Sequence, residues 1–323
     1  MALLLIKSRP SNLTNPAVRA LRFASSDGRI QLHKSKGQHI LTNPRVLDAI
    51  VRRSGVGPSD TVLEIGPGTG NLTLRLLEAS RRVVAVEVDR RMVDALSRRA
   101  EERGFRDRLE VIHDDFLKTK MPSFDLCISN IPYMISSPLI MKLLFESVRP
   151  FKRATLLLQK EFAHRLLAKP GNPGFNRLAV NVKLVAGVEF VMNVSKRDFV
   201  PCPKVDSTVV TITPKLETPN VDLEEWRAFT RTCFNTKNKT VGAIFKQKRL
   251  LELLRRSEDR DGGGYVESED GVEMGLFKDR IIGVLKQEGF EERRPSKMGI
   301  EELLHLLELF NQVGIFFNER RKI

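Results

Sequence analysis

Glu64-Ile65-Gly66-Pro67-Gly68-Thr69-Gly70 decides the fold class of this 323-residue chain. Thr61 to Ile65 is a short apolar run that reads as a buried strand, and Leu72 to Glu78 carries leucines at helical spacing. Glycines between a strand and a helix let the backbone turn sharply and approach a ligand, and the helix that follows offers it free N–H groups. A dinucleotide site would space its glycines Gly-x-Gly-x-x-Gly around a pyrophosphate. Here the spacing is Gly-x-Gly-x-Gly, with an acid, Glu64, two residues ahead, which argues for a cationic cofactor.

Outward from this turn the pattern repeats. Arg82 to Val88 reads as the next strand and Met92 to Arg103 as a helix, with further strands over Leu109 to Ile112, Phe124 to Ser129, Thr155 to Gln159 and Val205 to Ile212. The alternation predicts an α/β, doubly wound sheet covered on both faces. Its strand ends carry acids. Glu87, seventeen residues after Gly70, stands where a carboxylate can accept both ribose hydroxyls, with Asp89 as its rival. In His113-Asp114-Asp115-Phe116 a carboxylate could accept from an adenine amino group. Any one of these acids could be a solvated strand-end residue; three strand ends in register, each with glycine or acid, make that joint reading poor.

Asn130-Ile131-Pro132-Tyr133 follows the fourth strand and suits a particular chemical problem. The exocyclic amine of adenine is a poor nucleophile because its lone pair is delocalised into the ring. The Asn130 side-chain oxygen and the Ile131 carbonyl can each accept an N–H bond, favouring a pyramidal nitrogen as positive charge develops, while Pro132 stiffens the loop. Tyr133 can stack on the base, a contact worth about 1–3 kcal/mol in single-stranded nucleic-acid sites.

Taken together, Gln38-His39-Ile40-Leu41, the glycine motif, Glu87, Asp115 and Asn-Ile-Pro-Tyr resemble the ribosomal RNA adenine dimethyltransferase family, over nearly all of the chain after residue 30. The resemblance implies a Rossmann-like class I methyltransferase fold with a smaller C-terminal α-helical domain. It implies S-adenosylmethionine as cofactor, contacted by His39, Leu41, Gly66, Glu87, Asp115 and Asn130. The implied catalytic residues are Asn130, which also touches the target amine, Tyr133, which stacks on the base, and Phe199 in Arg197-Asp198-Phe199-Val200-Pro201, which closes the other face of the base. An aromatic packed beneath a Pro-rich loop is the alternative for Phe199. Asp114 stands where the family has glycine; Phe116-Leu117-Lys118 sets the register that assigns the adenine contact to Asp115. The implied substrate is a pair of adjacent adenines in a hairpin loop near the 3′ end of small-subunit rRNA. The implied partner is the pre-ribosomal small subunit, bound by a monomer with a role in ribosome biogenesis. Thr236-Lys237-Asn238-Lys239-Thr240 and Arg294-Pro295-Ser296-Lys297-Met298 resemble the eukaryotic and archaeal branch.

Composition agrees with a polyanionic partner, since the formal charge is +14 and the pI near 9.9. No apolar run reaches the roughly 18 residues of a membrane span, so no membrane role is expected. Three scattered cysteines suggest neither disulfides nor zinc, and five histidines without ligand spacing suggest no metal. Residues 1–29, with Lys7, Arg9, Arg19 and Arg22 and no acid before Asp27, read as a mitochondrial transit peptide. Residues 30–215 then form the methyltransferase domain and 216–323 a helical RNA-binding domain. In the latter, Asp222 is a helix cap, Trp226, Phe229, Cys233 and Phe234 are core, and Arg227, Arg231, Lys237, Lys239, Lys246, Lys248 and Arg249 form a basic stretch for phosphates. Ser257 to Gly271, with three consecutive glycines, reads as a surface loop. Competing readings are nucleolar dimethylation of cytosolic rRNA, a non-catalytic mitochondrial transcription or assembly factor, a DNA or protein-amide methyltransferase, and a nicotinamide oxidoreductase. The glycine spacing disfavours the last.

Overall fold

Strand β1 (Ile40–Leu41) leads into helix α1 (Pro44–Ser54). Asn43 caps that helix, its side chain accepting the Arg45 N–H at 3.0 Å, Pro44 occupies the first turn, and Gly55 ends it at φ 69°. The chain then alternates through β2 (Thr61–Ile65), α2 (Asn71–Ala79), β3 (Arg82–Glu87), α3 (Arg90–Glu102), β4 (Leu109–His113), β5 (Leu126–Asn130), α4 (Ser136–Phe145) and β6 (Arg153–Gln159). After α5 (Lys160–Leu167) and α6 (Arg177–Val185) come β7 (Ala186–Val194), β8 (Phe199–Val200) and β9 (Ser207–Pro214). The remainder is helical: α7 (Leu223–Cys233), α8 (Val241–Phe245), α9 (Lys248–Asp261), α10 (Asp270–Lys286) and α11 (Ile300–Gln312). This computed structural model describes residues 39–147, 150–236, 238–261 and 270–317. The expected transit peptide, Gln38 and Lys237 lie outside the described residues.

Seven strands form one sheet in the order β4-β3-β2-β5-β6-β9-β7. The first five run parallel; β9 is antiparallel to β6 and β7 antiparallel to β9. All of β2 is buried, as expected for a central strand covered on both faces. The chain leaves β2 towards β3 and β4, then returns to the other side of β2 for β5 and β6. The order therefore reverses between β2 and β5, the place where open α/β sheets part to form a crevice.

Each strand expected from the sequence is present, with boundaries shifted by two residues or fewer; β7 was not anticipated. It alternates poorly between buried and exposed positions and carries a register shift between Phe190 and Met192, so no period-2 signal marks it. The expected surface loop needs correction. Helix α9 continues through Ser257 to Asp261 and α10 begins at Asp270, leaving 262–269 outside the described residues. The Leu, Arg, Glu and Lys of α9 are strong helix formers, and the helix runs on until the glycines.

Helix α7 starts where Asp222 predicts, the carboxylate accepting from the Glu224 and Glu225 amides at 2.8 and 3.3 Å. Trp226, Phe229 and Cys233 are almost wholly buried. Phe229, Phe245, Phe310 and Phe317 form edge and stacked ring pairs with centroids 4.8–6.4 Å apart. Each such ring contributes about 1.5–3 kcal/mol by burial. One hydrophobic cluster runs from Leu63 and Leu156 in the sheet through α6 to this aromatic group, which seats the helical region against the sheet.

Candidate active site

A cavity of about 460 Å³ opens at the carboxyl ends of β2, β3, β4 and β5, at the point where strand order reverses. Paired registers between β2 and β5 cover Val62–Leu126 and Leu63–Cys127; beyond them the Ile65 N–H is taken at 2.7 Å by the Ser129 hydroxyl. A side chain thus satisfies the backbone where the strands part. Sequence reasoning missed Ser129, whose signal is a single hydroxyl within the apolar run of β5.

The glycine turn shapes one wall. Gly66, Gly68 and Gly70 have φ of 66°, 58° and 86°, the left-handed region that side chains resist. A Cβ on Gly66 would stand 3.4 Å from the Pro132 ring, so this turn and the Asn-Ile-Pro-Tyr loop touch. A Cβ on Gly70 would be 2.5 Å from Leu96 Cδ1. At Gly68, which lines the cavity, it would meet nothing within 4 Å, so the backbone there is open to a ligand.

Of the acids, Glu87 faces the cavity and Glu64 does not. Glu87 Oε1 accepts the Val88 and Asp89 N–H groups and Oε2 that of Gly68, each at 3.0 Å. Burial pushes its carboxyl above the ordinary value, opposed by those N–H bonds. A carboxylate has about four lone-pair sites, so three N–H bonds leave one unused, where two ribose hydroxyls would need two. Asp89 instead caps α3 and pairs with Arg91 at 2.6 Å. Glu64 overturns the inference drawn from it: 2% exposed and absent from the cavity wall, its carboxyl is pushed up to about 8 by burial. Burial favours its protonated form, and it sits off the cavity wall, so it makes no direct contact with a ligand there.

Asp114 and Asp115 both line the cavity. Asp114 spends Oδ1 on the Asp115 amide and Oδ2 on the Thr119 hydroxyl, both at 2.8 Å, and the Thr119 bond holds its carboxyl below the usual range. Asp115 spends only Oδ1, on Leu117 N–H at 3.0 Å. The geometry leaves Asp115 the freer acceptor.

Asn130 ends β5, and its Nδ2 donates to the His39 carbonyl at 3.1 Å. The amide is thereby oriented, with Oδ1 left to accept. His39 Nδ1 meets the Pro201 carbonyl at 2.7 Å, and its ring lies 6.2 Å from that of Tyr133 at 28°. Tyr133 begins a 3₁₀ turn, and its hydroxyl meets Ser207 Oγ at 2.7 Å. Ser207, fully buried on β9, is a second residue the sequence did not single out.

Two expected residues do not reach the wall. Leu41 is 3% exposed and Phe199 2%; they pair across β1 and β8 and pack into the hydrophobic cluster on the face of α1 and α2. Ile40 lines the cavity in place of Leu41. For Phe199 the strand pairing turns the ring inward, so packing beneath the Pro-rich loop, the alternative raised above, describes its position.

A larger groove of about 790 Å³ lies where α4, the α5–α6 connection and the helical region meet. Arg165, Arg177, Arg231, Lys239, Arg294 and Lys297 line it, with no acid beside them among the described residues. Of the expected basic stretch, Arg231 and Lys239 reach it among the described residues. Arg227 pairs with Glu224, Lys246 with Glu291 and Lys248 with Glu252.

Comparison with known proteins agrees with this arrangement. The family model described as "Ribosomal RNA adenine dimethylase" matches residues 29–257. A relative from Arabidopsis thaliana named "Ribosomal RNA small subunit methyltransferase, mitochondrial" is 58% identical over 309 residues, covering 89% of this chain and 81% of its own. A second Arabidopsis thaliana protein, "Ribosomal RNA small subunit methyltransferase", is 46% identical, covering 90% of this chain and 93% of its own. The crystal structure of a dimethyladenosine transferase from Plasmodium falciparum superposes with a TM-score of 0.77 at 39% identity, over 86% of this chain and 99% of that one. The chain belongs to the ribosomal RNA adenine dimethylase family, the S-adenosylmethionine-dependent enzymes that dimethylate adenine in ribosomal RNA.

Proposed function

We propose that this chain dimethylates two adjacent adenines in a hairpin loop near the 3′ end of mitochondrial small-subunit rRNA, with the β2–β5 cavity as its active site. One observation carries the assignment of the site: the glycine turn, Glu87, Asp115 and Asn130, from four strand ends, line a single cavity. The cavity fits S-adenosylmethionine. Its glycine backbone is open at Gly68, Glu87 and Asp115 each keep acceptor capacity, and the Asn130 Oδ1 is available at the end opposite the acids of β3 and β4 in the strand order. In this reading Gly66, Glu87, Asp115, His39 and Asn130 hold the cofactor, and Leu41 and Phe199 hold the wall that positions His39.

The bound cofactor supplies an activated methyl group on a sulfonium. The protein supplies placement. Asn130 Oδ1 and the Ile131 carbonyl accept the two N–H bonds of the target amine, aiming its lone pair away from the ring and stabilising the charge that develops on nitrogen. Tyr133, tethered to Ser207, stacks on the base. No side chain need be a strong base, because the alkylated amine is acidic enough to release its proton to water. A base in an unpaired loop reaches such a pocket at lower cost than one in a duplex. Phosphate contacts from Arg177, Arg231, Lys239, Arg294 and Lys297 in the groove would give affinity, and the base pocket selectivity.

The mitochondrial assignment is supported by the basic, Ser-containing N-terminal segment and by the mitochondrial name of the 58% identical relative. The test is direct. Purified protein, S-adenosylmethionine and small-subunit particles lacking the modification should yield dimethyladenosine on digestion of the RNA, and only monomethylated or unmodified adenosine would refute the assignment.

A further inference from the structure

A second cleft, separate from the active cavity and from the groove, adjoins the tether of Tyr133. Lys160, Lys196 and Lys204 line it, with His164, Glu161 and Asp206. The three lysines come from distant points of the chain: the start of α5, the turn after β7 and the loop between β8 and β9. Asp206 ties these segments together, its carbonyl accepting the Lys160 N–H at 3.0 Å and its Oδ1 the Lys196 N–H at 2.9 Å. Both acids are already engaged, since Glu161 pairs with Arg165 at 3.1 Å. The three lysines are exposed, and none forms an ion pair among the described residues. Holding like charges together on a fixed frame costs free energy that an anion offsets.

Position decides which anion. Asp206 is followed by Ser207, whose hydroxyl meets that of Tyr133. The groove at the helical region comes near the Asn-Ile-Pro-Tyr loop from a different direction, through Ser137 in the first turn of α4, four residues after Tyr133. A base drawn out of its stack leaves phosphates on both of its flanks near the pocket mouth. We infer that the Lys160–Lys196–Lys204 cleft binds the phosphodiester backbone beside the target adenine, on the flank that does not enter the helical-region groove. The inference rests on the active-site reading given above.

The experiment compares wild type with a triple variant, Lys160→Gln, Lys196→Gln and Lys204→Gln, and with the corresponding triple Arg variant. Binding of a short adenine-containing single-stranded RNA is measured by anisotropy from low to high salt. Three lost contacts lower the slope of log affinity against log salt by about 2, at about 0.7 per phosphate for a single strand. The Arg variant should keep the wild-type slope, S-adenosylmethionine affinity should stay within twofold in all three, and KM for unmodified small-subunit particles should rise in the Gln variant with kcat held. An unchanged slope in the Gln variant, or a loss that Arg does not restore, overturns the inference. Absence of methyl transfer by wild type would instead count against the active-site reading, since the slopes are measured without turnover.

Discussion

Glu87→Gln separates what the carboxylate does for the glycine turn from what it does for the ligand. In the wild type one oxygen accepts from Val88 and Asp89 and the other from Gly68, all at 3.0 Å. The amide keeps an oxygen for Val88 and Asp89 but places an NH₂ against the Gly68 N–H, two donors face to face. Gly68 loses its partner and the ligand loses the remaining acceptor. A hydrogen bond to a charged group is worth about 1.5–3 kcal/mol, so the dissociation constant for S-adenosylmethionine should rise about ten- to a hundredfold, at about 1.4 kcal/mol per decade. Isothermal titration reads this directly, with urea unfolding of the ligand-free protein as control. With the Gly68 N–H left unpaired, ligand-free stability should fall by about 1–3 kcal/mol, the cost of one unsatisfied donor, so binding is compared at temperatures where both proteins are folded. Affinity within threefold of wild type would refute the role given to Glu87.

Asn130→Ala should lower kcat by about two to three orders of magnitude, the usual cost of one preorganised polar group at a developing charge, while cofactor affinity changes less; single-turnover rates check it, and near-normal turnover would count against the acceptor mechanism. Gly70→Ala, with a Cβ 2.5 Å from a fully buried Leu96 at φ 86°, should cost about 2 kcal/mol or more of stability in urea unfolding. Gly68→Ala, which meets open space, should cost less stability and more cofactor affinity. Glu64 binds a proton more tightly folded than unfolded, so its contribution is present at low pH and is lost as pH rises from 4.5 to about 8. Between pH 5 and 7 the stability gap between Glu64→Gln and wild type should widen in favour of the variant by about 1 kcal/mol per pH unit; parallel pH profiles would contradict a neutral buried Glu64.

Much of the sheet was legible because its central strands are continuous apolar runs and its ligand-facing residues sit at strand ends, where glycine or an acid interrupts the run. Asn130, Glu87 and Asp115 stand out for that reason. The edge strand β7 was not legible, since its burial follows a bulge and the pairing with β9 instead of a local period. Glu64 was misread because sequence spacing shows an acid near the turn but not which side of the strand it leaves; β2 is buried on both faces, and Glu64 falls away from the cavity. Leu41 and Phe199 were placed at the site by motif, yet their pairing across β1 and β8 sends the side chains into the core. Ser129 and Ser207 escaped notice because a lone serine acquires meaning only from the partner that folding brings to it, Ile65 in one case and Tyr133 in the other.

Primer extension through the 3′ region of small-subunit rRNA tests the central claim most directly, because dimethylated adenine blocks reverse transcription. In cells lacking the protein, the stop at the paired adenines should vanish from mitochondrial rRNA and persist in cytosolic rRNA, and it should return with the wild-type chain but not with Asn130→Ala. Loss of the cytosolic stop alone would contradict the mitochondrial assignment, and persistence of both stops would contradict the proposed substrate.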